Sequence, residues 1–457
     1  MRLLELILAL AVAASGIRLA AVGRTSGWIH GMQLLLAVLL VAQVLVEGWR
    51  WQMAPAYIAT VAIAVTPNLA GLGASALLAS VIVSIALLGL SILSCLLLPF
   101  VEPRTAHGPF AVGVTDLSPD AVRRPEIGPD ELTAAPLVRL WYPAEAPGWV
   151  PRFQAAVRQR ISDRFRAAPT TPATTDAAVA RTAAKLPTII YFDGWPEDKI
   201  QNVNLILELA SRGYLVSSVQ YPPRLDRPMV AYSSDADFEH SVQMDHARAR
   251  AHARDATAVL NVLTAFETQT GNRFAHRLAP QRAATLGFSF GGAIAAEASR
   301  LDPRIRAVVN MDGRHWGDAL EHGVEKPYLF ICEELAMPTA ADLASSDPMT
   351  RYEARLDQAD YSKLAANLQA LGGIRVTIAG MTHLNFTDVP LRSPLRRLSG
   401  GGRIEAGRAQ EIIRTYVLEF FSRYLMSEQP PPLNSPLPQL AEVRLQSWPA
   451  PPRMAAQ

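Results

Sequence analysis

Hydrophobic and polar positions are spread very unevenly along this chain. The first hundred residues hold four long apolar runs, at 3–21, 28–46, 54–70 and 74–99, with almost no charge inside them. Each is near the roughly 20 residues that a helix needs to cross hydrocarbon, so the sequence predicts four membrane spans within residues 1–103. A cleaved signal peptide is the alternative for the first run, because Arg2 precedes it and Ala13, Ala14 and Ser15 follow its core. The three later runs would anchor the chain in either case. Arg2, Arg18, Arg24, Arg50 and Arg104 flank the runs on both sides of any alternating topology. The positive-inside rule therefore has little asymmetry to act on, and the side on which the C-terminal part lies stays open.

Beyond Pro99 and Pro103 the pattern changes. Residues 108–115 and 137–142 predict β segments, separated by a Pro- and Asp-rich turn over 118–130. Ala, Thr, Pro and Arg then dominate an insertion near 146–186; its first half, 153–165, predicts an amphipathic helix with basic residues, more readily a solvated surface helix than a lipid-contacting one, and its second half a flexible link. From Leu186 onward strands alternate with helices. Strands are predicted at 188–192, 214–219, 282–288, 305–310, 328–332 and 374–378, and helices at 203–211, 245–266, 292–299, 361–371 and 407–425. Such alternation predicts an α/β domain over 104–430, a mostly parallel sheet with helices on both faces. A Pro-rich tail, 431–457, closes the chain.

Composition sharpens this only in part. Half of the 457 residues are hydrophobic, an excess that the N-terminal runs account for. A net charge of +2 without an aromatic-interleaved arginine stripe argues against nucleic acid as a partner. The two cysteines, Cys95 and Cys332, fall one in the last apolar run and one in a core strand, so no soluble disulfide and no metal-ligand spacing arises.

Chemistry enters at residues 284–296, which read as strand, sharp turn and a helix of small residues. Gly287, Ser289 and Gly291 form G-x-S-x-G, a turn that lifts a serine to the top of a sheet while the glycines let strand and helix approach. Serine is a weak nucleophile until a base takes its proton and an acid orients that base. Asp312 follows one predicted strand and His383 leaves another through Ala-Gly-Met-Thr. The order Ser289, Asp312, His383 is that of α/β-hydrolases. His315, in the Asp312 loop, competes for the role of base, and Glu333 or Glu334, after the next strand, for that of acid. His240, His246 and His252 lie on or beside an Arg-rich helix and read as solvated-face residues. Backbone N–H groups of Phe290 and Trp195, the latter in the Asp193-Gly194-Trp195 turn, are the expected oxyanion donors. The mechanism calls for no metal or organic cofactor.

The segments Gly287-Phe-Ser-Phe-Gly-Gly, Asp312 after its strand, His383-Leu-Asn-Phe-Thr-Asp388 and Leu137-Val-Arg-Leu-Trp-Tyr-Pro143 resemble the platelet-activating-factor acetylhydrolase family of α/β-hydrolases over about 108–425. The resemblance implies a Ser289–His383–Asp312 triad with Trp195 and Phe290 at the oxyanion hole. It also implies a serine ester hydrolase acting through an acyl-enzyme on a lipid or small-molecule ester. The apolar block looks like the multi-span leader of some bacterial membrane-linked hydrolases, which implies an integral, multi-pass protein of a bacterial cytoplasmic membrane. One position departs from the family, which has His-Gly where this chain has Asp193-Gly194. A carboxylate beside a developing oxyanion opposes it unless the side chain turns away or is neutralised. That departure motivates a second reading, a catalytically silent relative with a binding or membrane-organising role.

Overall fold

The computed structural model describes residues 3–23, 27–69, 71, 73–97, 106–122, 136–145, 172–182, 184–195, 200–221, 234–392, 400–426, 433–437 and 439–450. The chain divides into two compact units, one built on Met1–Glu102 and the other on the residues that follow. In the first unit, helices α1 (Leu3–Val22), α2 (Ile29–Val46) and α4 (Ala74–Leu97) are long and apolar enough to cross a membrane. The third apolar run differs from the sequence expectation of a fourth long span. There α3 (Ala54–Val65) has 12 residues, extended by short 3-10 turns at Trp51–Met53 and Thr66–Asn68. Pro55 and Pro67 sit at the starts of successive helical segments, where a missing N–H is tolerated.

Leu8, Val12, Leu36, Ala56, Ala59 and Ile63 pack inside this unit, while Leu34, Leu45 and Leu96 are among many large apolar side chains left facing outward. Charge inside it is paired. Arg50 donates to Glu5 at 2.7 Å with both side chains buried, and the Glu47 carboxylate accepts the N–H groups of Leu4 and Glu5 at the start of α1. Burying either charge without such a partner would cost several kcal/mol.

The second unit is a ten-stranded sheet. In chain order its strands are β1 (Ala111–Asp116), β2 (Leu137–Ala144), β3 (Thr174–Thr175), β4 (Leu186–Phe192), β5 (Leu215–Gln220), β6 (Leu278–Phe288), β7 (Ile305–Met311), β8 (Tyr328–Cys332), β9 (Gly373–Ile378) and β10 (Val443–Trp448). Across the sheet they run β10-β9-β8-β7-β6-β4-β5-β2-β1-β3. The six strands from β9 to β5 are mutually parallel, and antiparallel strands flank them: β10 on β9, β2 on β5 and β1 on β2.

Period-two alternation sends the side chains of one strand into two cores. From β4, Leu186, Ile190 and Phe192 enter one core while Ile189 and Tyr191 enter the other. Helices α6 (Asp235–Thr268), α7 (Phe290–Leu301) and α8 (Pro348–Leu371) cover the first face, and α5 (Val203–Ser211) and α9 (Ala406–Leu425) the second. The α/β prediction thus holds, and α5 spans the residues the sequence assigns to it.

Three expectations are corrected. The described second half of the insertion is not a free link. β3 pairs with β1, Val179 bridges Ala144, and Ala173, Val179 and Ala180 are buried. The long helix begins ten residues earlier than predicted, and its inner face carries buried Asp245, Arg248, His252 and Asp255, so His252 is not a solvated-face residue. The Pro-rich tail supplies β10 and buries Leu433, Leu440 and Val443 against α9 and β9. The amphipathic helix predicted over 153–165 lies outside the described residues.

Because those three tail side chains leave water on folding, deleting residues 431–457 is expected to lower stability by about 5 kcal/mol. Thermal unfolding of the full and shortened chains in detergent measures this, and an unchanged midpoint would remove the tail from the core.

Candidate active site

At the C-terminal end of β6 the chain reverses through Ser289, whose φ of 53° and ψ of −124° are rare for a side-chain-bearing residue. Two glycines make the reversal feasible. A Cβ on Gly287 would lie 1.9 Å from the carbonyl oxygen of Gly291, and one on Gly291 would lie 2.2 Å from that of Phe192 at the end of β4. The turn is also tied sideways, since Ser289 N–H donates to the Met311 carbonyl at 2.9 Å. Helix α7 starts at Phe290, so its positive end points at the serine.

Asp312 leaves β7, next to β6, with φ of 55°, and its N–H donates to Ile331 of β8 at 2.8 Å. Its carboxylate is nearly inaccessible. One oxygen meets His383 Nδ1 at 2.7 Å and the other accepts the N–H of Glu333 at 3.0 Å. An ionised carboxylate only accepts, so His383 Nδ1 carries the hydrogen and the Nε2 lone pair faces Ser289 Oγ at 2.9 Å. The structure therefore brings Ser289, His383 and Asp312 together, with the imidazole between the hydroxyl and the carboxylate.

His383 opens a 3-10 turn, His383–Phe386, capped reciprocally by Thr382 and Asn385. Asn385 Oδ1 also accepts the N–H of Gly402, and Gln410 of α9 donates to the carbonyls of Asn385 and Thr387. The Phe288 ring lies 4.8 Å from the imidazole. Asp388 accepts both the N–H and the side-chain amide of Asn204, and its own N–H donates to Gln201. The His-Leu-Asn-Phe-Thr-Asp run is thus a device for fixing one ring.

The rivals make other contacts. His315 is buried, with Nδ1 on Asp360 at 2.8 Å and Nε2 on the Tyr328 hydroxyl at 2.7 Å. Burial pushes the Tyr328 phenol well above its ordinary value. Glu334 accepts the N–H of Gly380. Glu333 stands beside Asp312, and burial, then the charge of Asp312, push its carboxyl up to about 7.

Around the expected oxyanion donors, Gly194 passes so close to the elbow that a Cβ there would meet Ser289 Cβ at 2.8 Å. Asp193 is buried, and its Oδ1 accepts from the Tyr191 hydroxyl at 2.8 Å and from the Gln201 N–H at 2.9 Å. Burial and the Asp193 charge push the Tyr191 phenol well up. The side chain is engaged with β4 and the start of α5, the first of the two conditions under which it leaves an oxyanion undisturbed. Gln201 also donates to the Gly194 carbonyl, and so links this turn to Asp388 and the histidine loop.

Two residues escaped the sequence reading. Arg248, paired with Asp245 at 2.8 Å, lies with its guanidinium 5.4 Å from the Trp195 ring centroid and 6.0 Å from that of Phe290. The spacing 245, 248, 252, 255 marks one face of a helix and was the available signal. Among the described residues no cluster of His, Cys, Asp and Glu is arranged to hold a metal.

Residues 251–430, which contain the elbow, Asp312 and His383, match the family model described as platelet-activating factor acetylhydrolase, isoform II. No curated protein matches the chain. Among solved structures, a ferulic acid esterase from Streptomyces cinnamoneus is similar, at 24% identity over 75% of this chain and 98% of its own, with a TM-score of 0.54. That likeness is one of fold. The second unit is an α/β-hydrolase fold, and the part of it that matches the platelet-activating factor acetylhydrolase, isoform II, model is residues 251–430.

Proposed function

We propose that this protein is a membrane-anchored serine hydrolase of carboxylic esters. The observation that carries the reading is the unbroken chain from Ser289 Oγ through the His383 ring to the Asp312 carboxylate. In this mechanism Ser289 Oγ attacks the ester carbonyl while His383 Nε2 takes its proton. The developing oxyanion is held by the N–H groups of Phe290 and Trp195, with the positive end of α7 behind them. The imidazolium, offset by Asp312, returns the proton to the departing alcohol, leaving an acyl group on Ser289. Water, deprotonated by His383, attacks the acyl carbonyl, the acid leaves and Ser289 recovers its hydrogen.

The family match supports an ester substrate, and the solved relative is named for its action on ferulic acid esters. The N-terminal unit supports residence in a membrane, with three helices of sufficient length and apolar character and outward-facing leucine and valine along them. Together these favour lipid esters or small esters met at a bilayer surface.

Hydrolysis of a p-nitrophenyl ester series by the detergent-solubilised protein tests the reading. Ser289→Ala and His383→Ala are each expected to lower kcat by about ten-thousand-fold or more, and Asp312→Asn by a similar factor. Activity retained in Ser289→Ala would exclude the acyl-enzyme. Asp193 provides a second test. Asp193→Asn keeps an acceptor for Tyr191 and Gln201 and is expected to hold kcat within about threefold, whereas Asp193→Ala strands a buried hydroxyl and is expected to cost about 2 kcal/mol of stability. A tenfold or larger gain in kcat with Asn would mean that the carboxylate does oppose the oxyanion.

A further inference from the structure

Polar contacts in the first unit identify which helix ends lie together. At one end Arg50, between α2 and α3, donates to Glu5 in the first turn of α1 at 2.7 Å and to Cys95 Sγ in the last turn of α4 at 3.6 Å. Glu47, just after α2, accepts the N–H groups of Leu4 and Glu5 at 2.7 and 3.1 Å. The Tyr57 hydroxyl, in the first turn of α3, donates to Gln43 in the last turn of α2 at 3.0 Å, and the Ala56 N–H donates to Ser91 Oγ of α4 at 2.8 Å.

The opposite end has its own contacts. Gln33, in the second turn of α2, donates to the Ala64 carbonyl in the last turn of α3 at 2.8 Å, and the hydroxyls of Thr66, just after α3, and Ser80, in the second turn of α4, lie 2.8 Å apart. A Cβ on Gly16, in the second half of α1, would lie 3.4 Å from both Ile63 and Val81. The start of α1, the end of α2, the start of α3 and the end of α4 therefore share one end, and the four helices alternate in direction.

The third run is short as an α-helix but not in rise. The 12 residues of α3 at about 1.5 Å each, with the two flanking 3-10 turns of 3 residues at about 2.0 Å each, extend roughly 30 Å over residues 51–68. That matches the hydrocarbon core of a bilayer.

We propose that residues 51–68 cross the membrane as a fourth span and that α1 is retained, so that residue 97 leaves the bilayer on the side from which the chain enters α1. Glu5 and Arg50 form the clasp at that face. The proposal rests on the membrane part of the reading above and is independent of the serine chemistry. Cleavage after Ala13, Ala14 or Ser15 would take the Glu5 carboxylate away from a buried guanidinium and strip Leu8 and Val12 from the packed interior. Both losses are costly in a bilayer, where a charge is tolerated only with a partner. The first run is thus a member of the bundle, and the chain beyond residue 97 continues on the side where α1 begins.

Labelling of single cysteines in the full chain with a membrane-impermeant maleimide tests this. Native Cys95 and Cys332 are buried and give the unlabelled background. Trp49, between α2 and α3, is exposed, and a Cβ on Gly27 or Gly73, just before α2 and α4, meets nothing within 4 Å, so all three positions accept a cysteine. In sealed cells and in inverted vesicles, Arg2→Cys, Trp49→Cys and Gln457→Cys are expected to label from one side, and Gly27→Cys and Gly73→Cys from the other. Labelling of Gly73→Cys from the same side as Trp49→Cys would mean that residues 51–68 turn back. Labelling of Gln457→Cys from the side opposite Arg2→Cys would mean an odd number of crossings. Either result overturns the proposal, as would a purified chain whose mass lacks α1. The clasp has its own readout in detergent: Glu5→Ala and Arg50→Ala are each expected to lower the unfolding midpoint, and the double variant to lower it by less than the two losses together. Additive losses would overturn the clasp. Release of the chain from membranes by an alkaline carbonate wash would instead overturn the membrane reading itself, whatever the ester assay shows.

Discussion

A strained turn at Ser289 is held in place by close backbone contact, and the rest of the site is arranged around it. A residue with a Cβ at φ of 53° costs on the order of 1–3 kcal/mol and persists only where its surroundings leave no alternative. Here the surroundings are the ends of three strands locked together. Ser289 N–H reaches back to Met311, Asp312 N–H reaches on to Ile331, and Gly313 sits so near the Ser289 carbonyl oxygen that a Cβ would come within 2.0 Å of it. Asp312 shares the positive φ. Ser289 and Asp312 are thus two strained residues at the ends of neighbouring strands, tied to one another through Met311 and Gly313.

Behind that pair lies a buried polar network in which both ring nitrogens of His315 are engaged. Asp360 accepts both the N–H and Nδ1–H of His315, His315 Nε2 then accepts from the Tyr328 hydroxyl, and the Tyr328 oxygen accepts from Asn310. Asn310 also exchanges two hydrogen bonds with the backbone of Gly313. Every donor in this path meets an acceptor, the condition under which a buried polar network stiffens a core. Its terminus is the Asp312–Gly313 turn. His315, two residues beyond Gly313, is therefore linked through Tyr328 and Asn310 to the backbone of the Asp312–Gly313 turn.

The strands from β4 to β9 were legible because both faces are buried, so they read as short apolar runs between glycines and prolines. The convergence of Ser289, Asp312 and His383 was legible for a related reason: parallel strands deliver the residues that follow them to one edge. What escaped depended on partners distant in sequence. The tail strand Val443–Trp448 has alternation too short to stand out, and its structure comes from the unpaired edge of β9. The insertion after 171 looked unstructured because two residues of β3 and one bridge give no local signal. The charged face of α6 was read as solvated because Asp and Arg usually are. Pairing of Arg248 with Asp245 and its placement over aromatic rings are tertiary facts.

Three carboxylates, Asp193, Asp312 and Glu333, lie around a site for which the proposed reaction develops an anion, and their disposition bears on that conflict. A unit charge acts over several ångströms in a poorly screened interior, so distance alone would not quiet them; direction and partners do. Asp193 spends its Oδ1 on Tyr191 and Gln201, while Asp312 and Glu333 lie along the strand ends on the His383 side, where negative charge favours the imidazolium. Helix α7 starts directly after Ser289, and the Arg248 guanidinium, paired with Asp245, lies against the Trp195 and Phe290 rings. In the proposed reaction Asp312 offsets charge where the imidazolium forms, and the hydrogen bonds of Asp193 to Tyr191 and Gln201 make the residue that departs from the family a strut between β4 and the start of α5.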